Sequence, residues 1–134
     1  MEVSVGTSTL TQLTRRMPKL IDPPAHAVLD YLNAGTFMAM GFSMMGRNKR
    51  AARFAFANGA SVLGLSLMTD YPGGLFRKIS FQTHGAVDVA LAMIVGAGPA
   101  LLGFGGQPEA QAFYGQAALE AGVVATTDWA ALPA

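Results

Sequence analysis

The sequence has no cysteine, a single tryptophan and little charge. Without cysteine there can be no disulfide and no thiolate metal site. The 13% of charged residues is about half the share usual in soluble domains, and a net charge of +1 offers no electrostatic surface for nucleic acid. No Gly-x-Ser-x-Gly turn is present, and no glycine-rich loop follows a strand pattern, so nucleophilic and phosphate-cradling chemistry find no support. The "GFGGQ" stretch at 103–107 reads as a turn between hydrophobic segments. We therefore expect no enzymatic activity. The first twenty residues lack the apolar core of a signal peptide.

What the chain does have is hydrophobicity in long uncharged windows. Residues 31–46 carry no charge and 54–76 carry only Asp70. Residues 79–108 hold only His84 and Asp88, and 110–127 only Glu120. Each window approaches the length of about 20 residues that crosses a bilayer as a helix. A soluble four-helix bundle needs a charged outer face on every helix, and none of these windows supplies one. Before them, Leu10, Leu13, Met17 and Leu20 recur at helical spacing among Arg15, Arg16 and Lys19, the pattern of a short amphipathic helix on an anionic membrane surface.

Compared with itself at an offset of 58, the chain matches without gaps at its scarce polar residues. His26 aligns with His84, Asp30 with Asp88, Thr69 with Thr127, Asp70 with Asp128 and Tyr71 with Trp129. The expected fold is all-α: a four-transmembrane-helix bundle of two tandem two-helix repeats, related by a pseudo-twofold axis along the membrane normal. An N-terminal segment occupies 1–20, the first repeat 21–76, and the second repeat with the C-terminal tail 79–134. Helices are predicted at about 25–46, 51–71, 83–104 and 109–129. Helices 1 and 3 then begin on the face where helices 2 and 4 end. His26, Asp30, Asp70, His84, Asp88 and Asp128 should gather there as one structural polar network. Ala60-x-x-x-Gly64 and Ala118-x-x-x-Gly122 are expected to form close helix contacts. Basic residues favour, by a small margin, a cytoplasmic location for that face and both termini.

With His-x-x-x-Asp at 26–30 and 84–88, and "LMTDYPGGLFRKI" between the halves, the chain resembles the SPW-repeat family of small integral membrane proteins. The resemblance spans about residues 20–129. Where that family carries Ser-Pro-Trp, this chain reads Gly98-Pro99-Ala100, and the first half lacks the proline. The resemblance implies two-span membrane repeats and no enzymatic activity.

The leading functional expectation is an accessory or structural subunit. It would dock in a larger membrane assembly, respiratory or photosynthetic, or on copies of itself, in contact with lipid and without nucleic acid. On that expectation no cofactor is bound. The alternative is a ligand site at His26 and His84, holding haem, chlorophyll or, with the two aspartates, a divalent cation. Glu120, the ionisable residue deepest in a hydrophobic window, marks a third reading, ion or proton translocation. Val62 stands at its aligned position, and the amides Asn58 and Gln116 align with each other.

Overall fold

The computed structural model describes residue 12 and residues 15–134, and these form four long helices: α1 (Pro23–Met44), α2 (Lys49–Met68), α3 (Phe81–Leu101) and α4 (Ala110–Thr126). A short 3-10 turn, Trp129–Ala131, follows. The proposed amphipathic helix depends on Leu10 and Leu13, which lie outside the described residues.

Three of the four helix starts carry a local side-chain cap. The Asp22 side chain accepts the Ala25 N–H at 2.9 Å, and Pro23 and Pro24 occupy the first positions, where a missing N–H costs nothing. Asn48 accepts the Ala51 N–H at 3.1 Å, and Ser80 the Thr83 N–H at 3.2 Å. Between α3 and α4 the backbone turns through Gly103 at φ +79°, a conformation glycine adopts without steric cost.

Helices α1 and α2 pack as one hairpin, α3 and α4 as a second. The hairpins are laced together crosswise at one end. Ile21, just before α1, bridges to Thr127 just after α4, and Thr69 after α2 bridges to Ile79 before α3. Both bridges bring a helix start beside a helix end. At the opposite end Phe113 gathers Phe54, Phe104 and Phe37 at ring-centroid distances of 5.0, 5.5 and 6.5 Å.

Helices α2 and α3 are long and apolar enough to cross a membrane. Only 39% and 28% of their most apolar windows are buried within the chain, whereas the core helix of a soluble protein would be mostly covered. Large apolar side chains also stand outward on α1 and α4, among them Leu32, Phe42 and Leu119. At about 1.5 Å per residue, α1 with 22 residues is about 33 Å long and α4 with 17 about 25 Å.

The small-residue pairs do not mediate the contacts expected of them. Ala60, Gly64, Ala118 and Gly122 are exposed, and a Cβ added at Gly64 or Gly122 would meet no described atom within 4 Å. The close approaches occur at other glycines. A Cβ at Gly98 would overlap the Phe54 ring, and one at Gly41 would lie 2.6 Å from the Phe56 ring. These glycines make room for aromatic rings rather than for a neighbouring backbone.

Candidate metal centre

The crosswise lacing delivers four of the six predicted network residues to one point. His26 and His84 each occupy the fourth position of their helix, and Asp30 and Asp88 follow one turn later on the same face. The two imidazoles are buried, and their Nε2 atoms lie 3.3 Å apart. Asp88 Oδ2 is 3.1 Å from both Nε2 atoms. Asp30 reaches His26 Nε2 with Oδ1 at 3.3 Å and His84 Nε2 with Oδ2 at 3.1 Å.

The outer nitrogens determine what the inner ones can do. His84 Nδ1 lies 2.7 Å from Thr69 Oγ1, and His26 Nδ1 lies 2.9 Å from Thr127 Oγ1. Each threonine commits its hydroxyl proton to its own helix, Thr69 to Leu65 O and Thr127 to Val123 O, both at 2.6 Å. A hydroxyl has one proton to give, so each threonine oxygen accepts, and each Nδ1 must be the donor. In neutral imidazoles the inward Nε2 atoms then both present lone pairs. Two lone pairs and two carboxylates facing one another repel unless positive charge sits among them. One divalent cation neutralises two carboxylates and uses all four groups as ligands. Two protons would do so only by making both buried rings cationic.

The spacing suits a small ion. A tetrahedral site with metal–ligand bonds of about 2.0 Å has ligand–ligand edges of about 3.3 Å, close to the histidine–histidine and histidine–carboxylate separations here. The four ligand atoms all lie within 4.8 Å of one another. Two imidazole nitrogens with two carboxylates are a donor set suited to zinc and other first-row divalent ions. Each imidazole is already oriented from behind by its threonine, as metal-ligating histidines commonly are.

The two imidazoles are enclosed by aromatic rings. Trp129 packs on His26 at 4.9 Å between ring centroids, and Tyr71 on His84 at 5.3 Å. Phe81 lies against both imidazoles and both of these rings. Tyr71 donates its hydroxyl to Asp30 Oδ2 at 2.8 Å. Burial first, and the nearby Asp30 charge second, push that hydroxyl well above the ordinary phenol range, so it remains a donor.

Asp70 and Asp128, expected in the network, stay outside it. Asp70 is exposed and pairs with Arg77 at 3.3 Å, and Asp128 accepts the Ala130 N–H to cap the 3-10 turn. The helix-end threonines point inward and the aspartates after them point away, so the contacts anticipated for the aspartates belong to Thr69 and Thr127. The separation of the two Nε2 atoms also rules against a macrocycle. Axial ligation needs one nitrogen on each side of an iron atom with the ring plane free between them, and the carboxylates fill that space. A single haem held axially between His26 and His84 is therefore not supported.

Glu120 lies about two turns deeper than the histidines, in a separate polar chain. Gln116 Nε2 donates to Asn33 Oδ1 at 2.6 Å, and Asn33 Nδ2 donates to Glu120 Oε1 at 3.0 Å. The aligned amide Asn58 instead donates to Phe54 O of its own helix. Asn33 was not singled out in the sequence because it is an uncharged amide inside a window defined by lack of charge. No family model, no curated protein and no solved structure matches the chain.

Proposed function

We propose that this is a small four-span integral membrane protein whose two hairpins are joined by a mononuclear divalent-metal centre, formed by His26, Asp30, His84 and Asp88. The observation that carries the proposal is the convergence of two buried Nε2 atoms with two carboxylates, while both Nδ1 protons are spent on threonines. Each hairpin supplies one His-x-x-x-Asp pair, so an ion there ties the hairpins together at one membrane interface. Four protein ligands and an aromatic surround suit an ion that holds structure rather than one that turns over substrate. That agrees with a role as an accessory or structural subunit in a membrane assembly. The proposal keeps the tandem two-span repeat and the SPW-repeat resemblance as its architectural frame. Apolar surface on all four helices supports placing every helix in lipid.

Cobalt substitution tests the centre. Co2+ titrated into chelator-stripped protein in detergent should bind one per chain and give the strong visible absorption of a tetrahedral site. The double variant His26→Ala/His84→Ala should show only the weak spectrum of aqueous cobalt. An aqueous spectrum from the unaltered protein would mean the cluster holds protons as imidazolium–carboxylate pairs, and the metal assignment would fall.

A further inference from the structure

Two segments lead into the histidine end of the molecule, one before α1 and one before α3, and their backbones repeat each other. The Leu20 and Ile21 N–H groups donate to Thr126 O at the end of α4, at 2.9 and 3.1 Å. At the positions 58 residues later, the Lys78 and Ile79 N–H groups donate to Met68 O at the end of α2, at 2.7 and 2.9 Å. Each segment sets exposed apolar side chains beside cations. Met17 and Leu20 lie among Arg15, Arg16 and Lys19, and Leu75 and Phe76 precede Arg77 and Lys78. The neighbouring aspartates are engaged: Asp22 and Asp128 cap N–H groups, and Asp70 pairs with Arg77.

In the second segment Leu75 and Phe76 are 69% and 56% exposed, yet both backbone N–H groups are fixed on Leu67 O at 2.9 Å. The loop thus holds two bare apolar side chains beside the last turn of α2. Next to them Arg77 adopts φ +53° and is the one non-glycine residue with positive φ among the described residues. That conformation costs an L-residue free energy, and at Gly103 the chain meets it with glycine. An exposed pair such as Arg77 with Asp70 contributes little toward offsetting it. Strain retained at one residue marks a task for its side chain.

We propose that the Leu75–Lys78 loop is a binding site for the headgroup of an anionic phospholipid, with Arg77 and Lys78 on the phosphate and Leu75 and Phe76 in the acyl boundary beside it. A guanidinium meets phosphate oxygens through paired N–H groups. Apolar side chains next to cations, at the end of a span, suit a segment lying at headgroup level. A free phosphate would use the cations but leave Leu75 and Phe76 in water. The proposal rests on the four-span reading and is independent of the metal centre.

The probes are phosphatidylglycerol and phosphatidylcholine, titrated into the detergent-solubilised protein and counted as bound lipid by native mass spectrometry. Phosphatidylglycerol should bind more tightly, and Arg77→Gln/Lys78→Gln should hold one fewer of it with phosphatidylcholine binding unchanged. A cation near an anionic headgroup is worth about fivefold in affinity, so Arg77→Gly should weaken phosphatidylglycerol by about that factor. Because glycine relieves the backbone, the same variant should not lower the thermal unfolding midpoint. Equal binding of the two lipids would overturn the proposal, as would Arg77→Gly with a lowered midpoint and unchanged phosphatidylglycerol binding. Displacement of the lipid by inorganic phosphate would assign the cations to a soluble anion and overturn it as well. Protein washed from vesicles by alkaline carbonate would remove the four-span reading and this site with it. Protein retained in vesicles but without preference for phosphatidylglycerol would remove the lipid site alone.

Discussion

At the level of the histidines the two hairpins contribute like for like. His26 rests on Thr127 and His84 on Thr69, and each imidazole meets both aspartates. About two turns deeper the likeness ends. Asn33 and Glu120 join α1 to α4 by a hydrogen bond, while the residues 58 positions away from them, Leu91 and Val62, are apolar. The helix pairs follow suit. α2 and α3 come together, with Gly98 against Phe54 and the Arg50 guanidinium donating to Leu102 O, whereas α1 and α4 stand apart around a cavity. Where both hairpins carry polar groups, those groups are consumed in joining the hairpins. Where one side alone does, Glu120 Oε2 is left buried without a hydrogen-bond partner among the described residues.

Breaking the matched level should have the largest effect. His84→Ala leaves buried Asp30 and partly buried Asp88 without one of their two imidazoles, and loss of one partner from a buried charged set costs about 3–5 kcal/mol. Thermal unfolding followed by circular dichroism in detergent should show the corresponding loss of stability, together with loss of bound metal. Thr69→Val and Thr127→Val keep the ligands but release the imidazoles from behind. Each should weaken metal binding about 10–100-fold, and because the two contacts are alike, the two losses should be similar by competition titration. Unequal losses would show that the hairpins share the ion unevenly.

At the unmatched level Asn33→Leu removes both links of the amide chain. Polar contacts between helices in lipid are worth only about 0.6–1.7 kcal/mol, so unfolding should shift modestly and metal content should not change. The smallest effects belong to the exposed glycines. Gly64→Ala and Gly122→Ala meet open space and should be neutral or stabilise by up to about 1 kcal/mol, whereas Gly98→Ala, pressed against Phe54, should destabilise by about 1–3 kcal/mol. Thermal unfolding of the three variants side by side separates exposed glycines from packed ones.

The helices were legible because their signals are local: windows nearly free of charge mark the helix bodies, while the caps Asp22, Asn48 and Ser80 fix three of the starts. That His26, Asp30, His84 and Asp88 share a level was legible too, from their positions at the starts of α1 and α3. Hydrogen bonding and metal binding could not be told apart there. The choice depends on which imidazole nitrogen carries its proton, and Thr69 and Thr127 set that only because their own protons go to Leu65 and Val123. Tyr71 and Trp129 follow helix ends, the usual place for aromatic rings at a membrane–water boundary. The crosswise bridges instead fold the chain over them, and both rings are buried against the histidines. The small-x-x-x-small spacing misled because glycine and alanine are abundant on every face of these helices.

The central claim is that one divalent ion joins the two hairpins at His26, Asp30, His84 and Asp88. Its most direct test is elemental analysis of the protein purified without chelator, alongside the His26→Ala/His84→Ala variant, with helix content checked by circular dichroism. The account predicts about one zinc-like divalent ion per chain in the unaltered protein and none in the variant, with the helices retained in both. Absence of metal from the unaltered protein, or an equal amount in the variant, would contradict it.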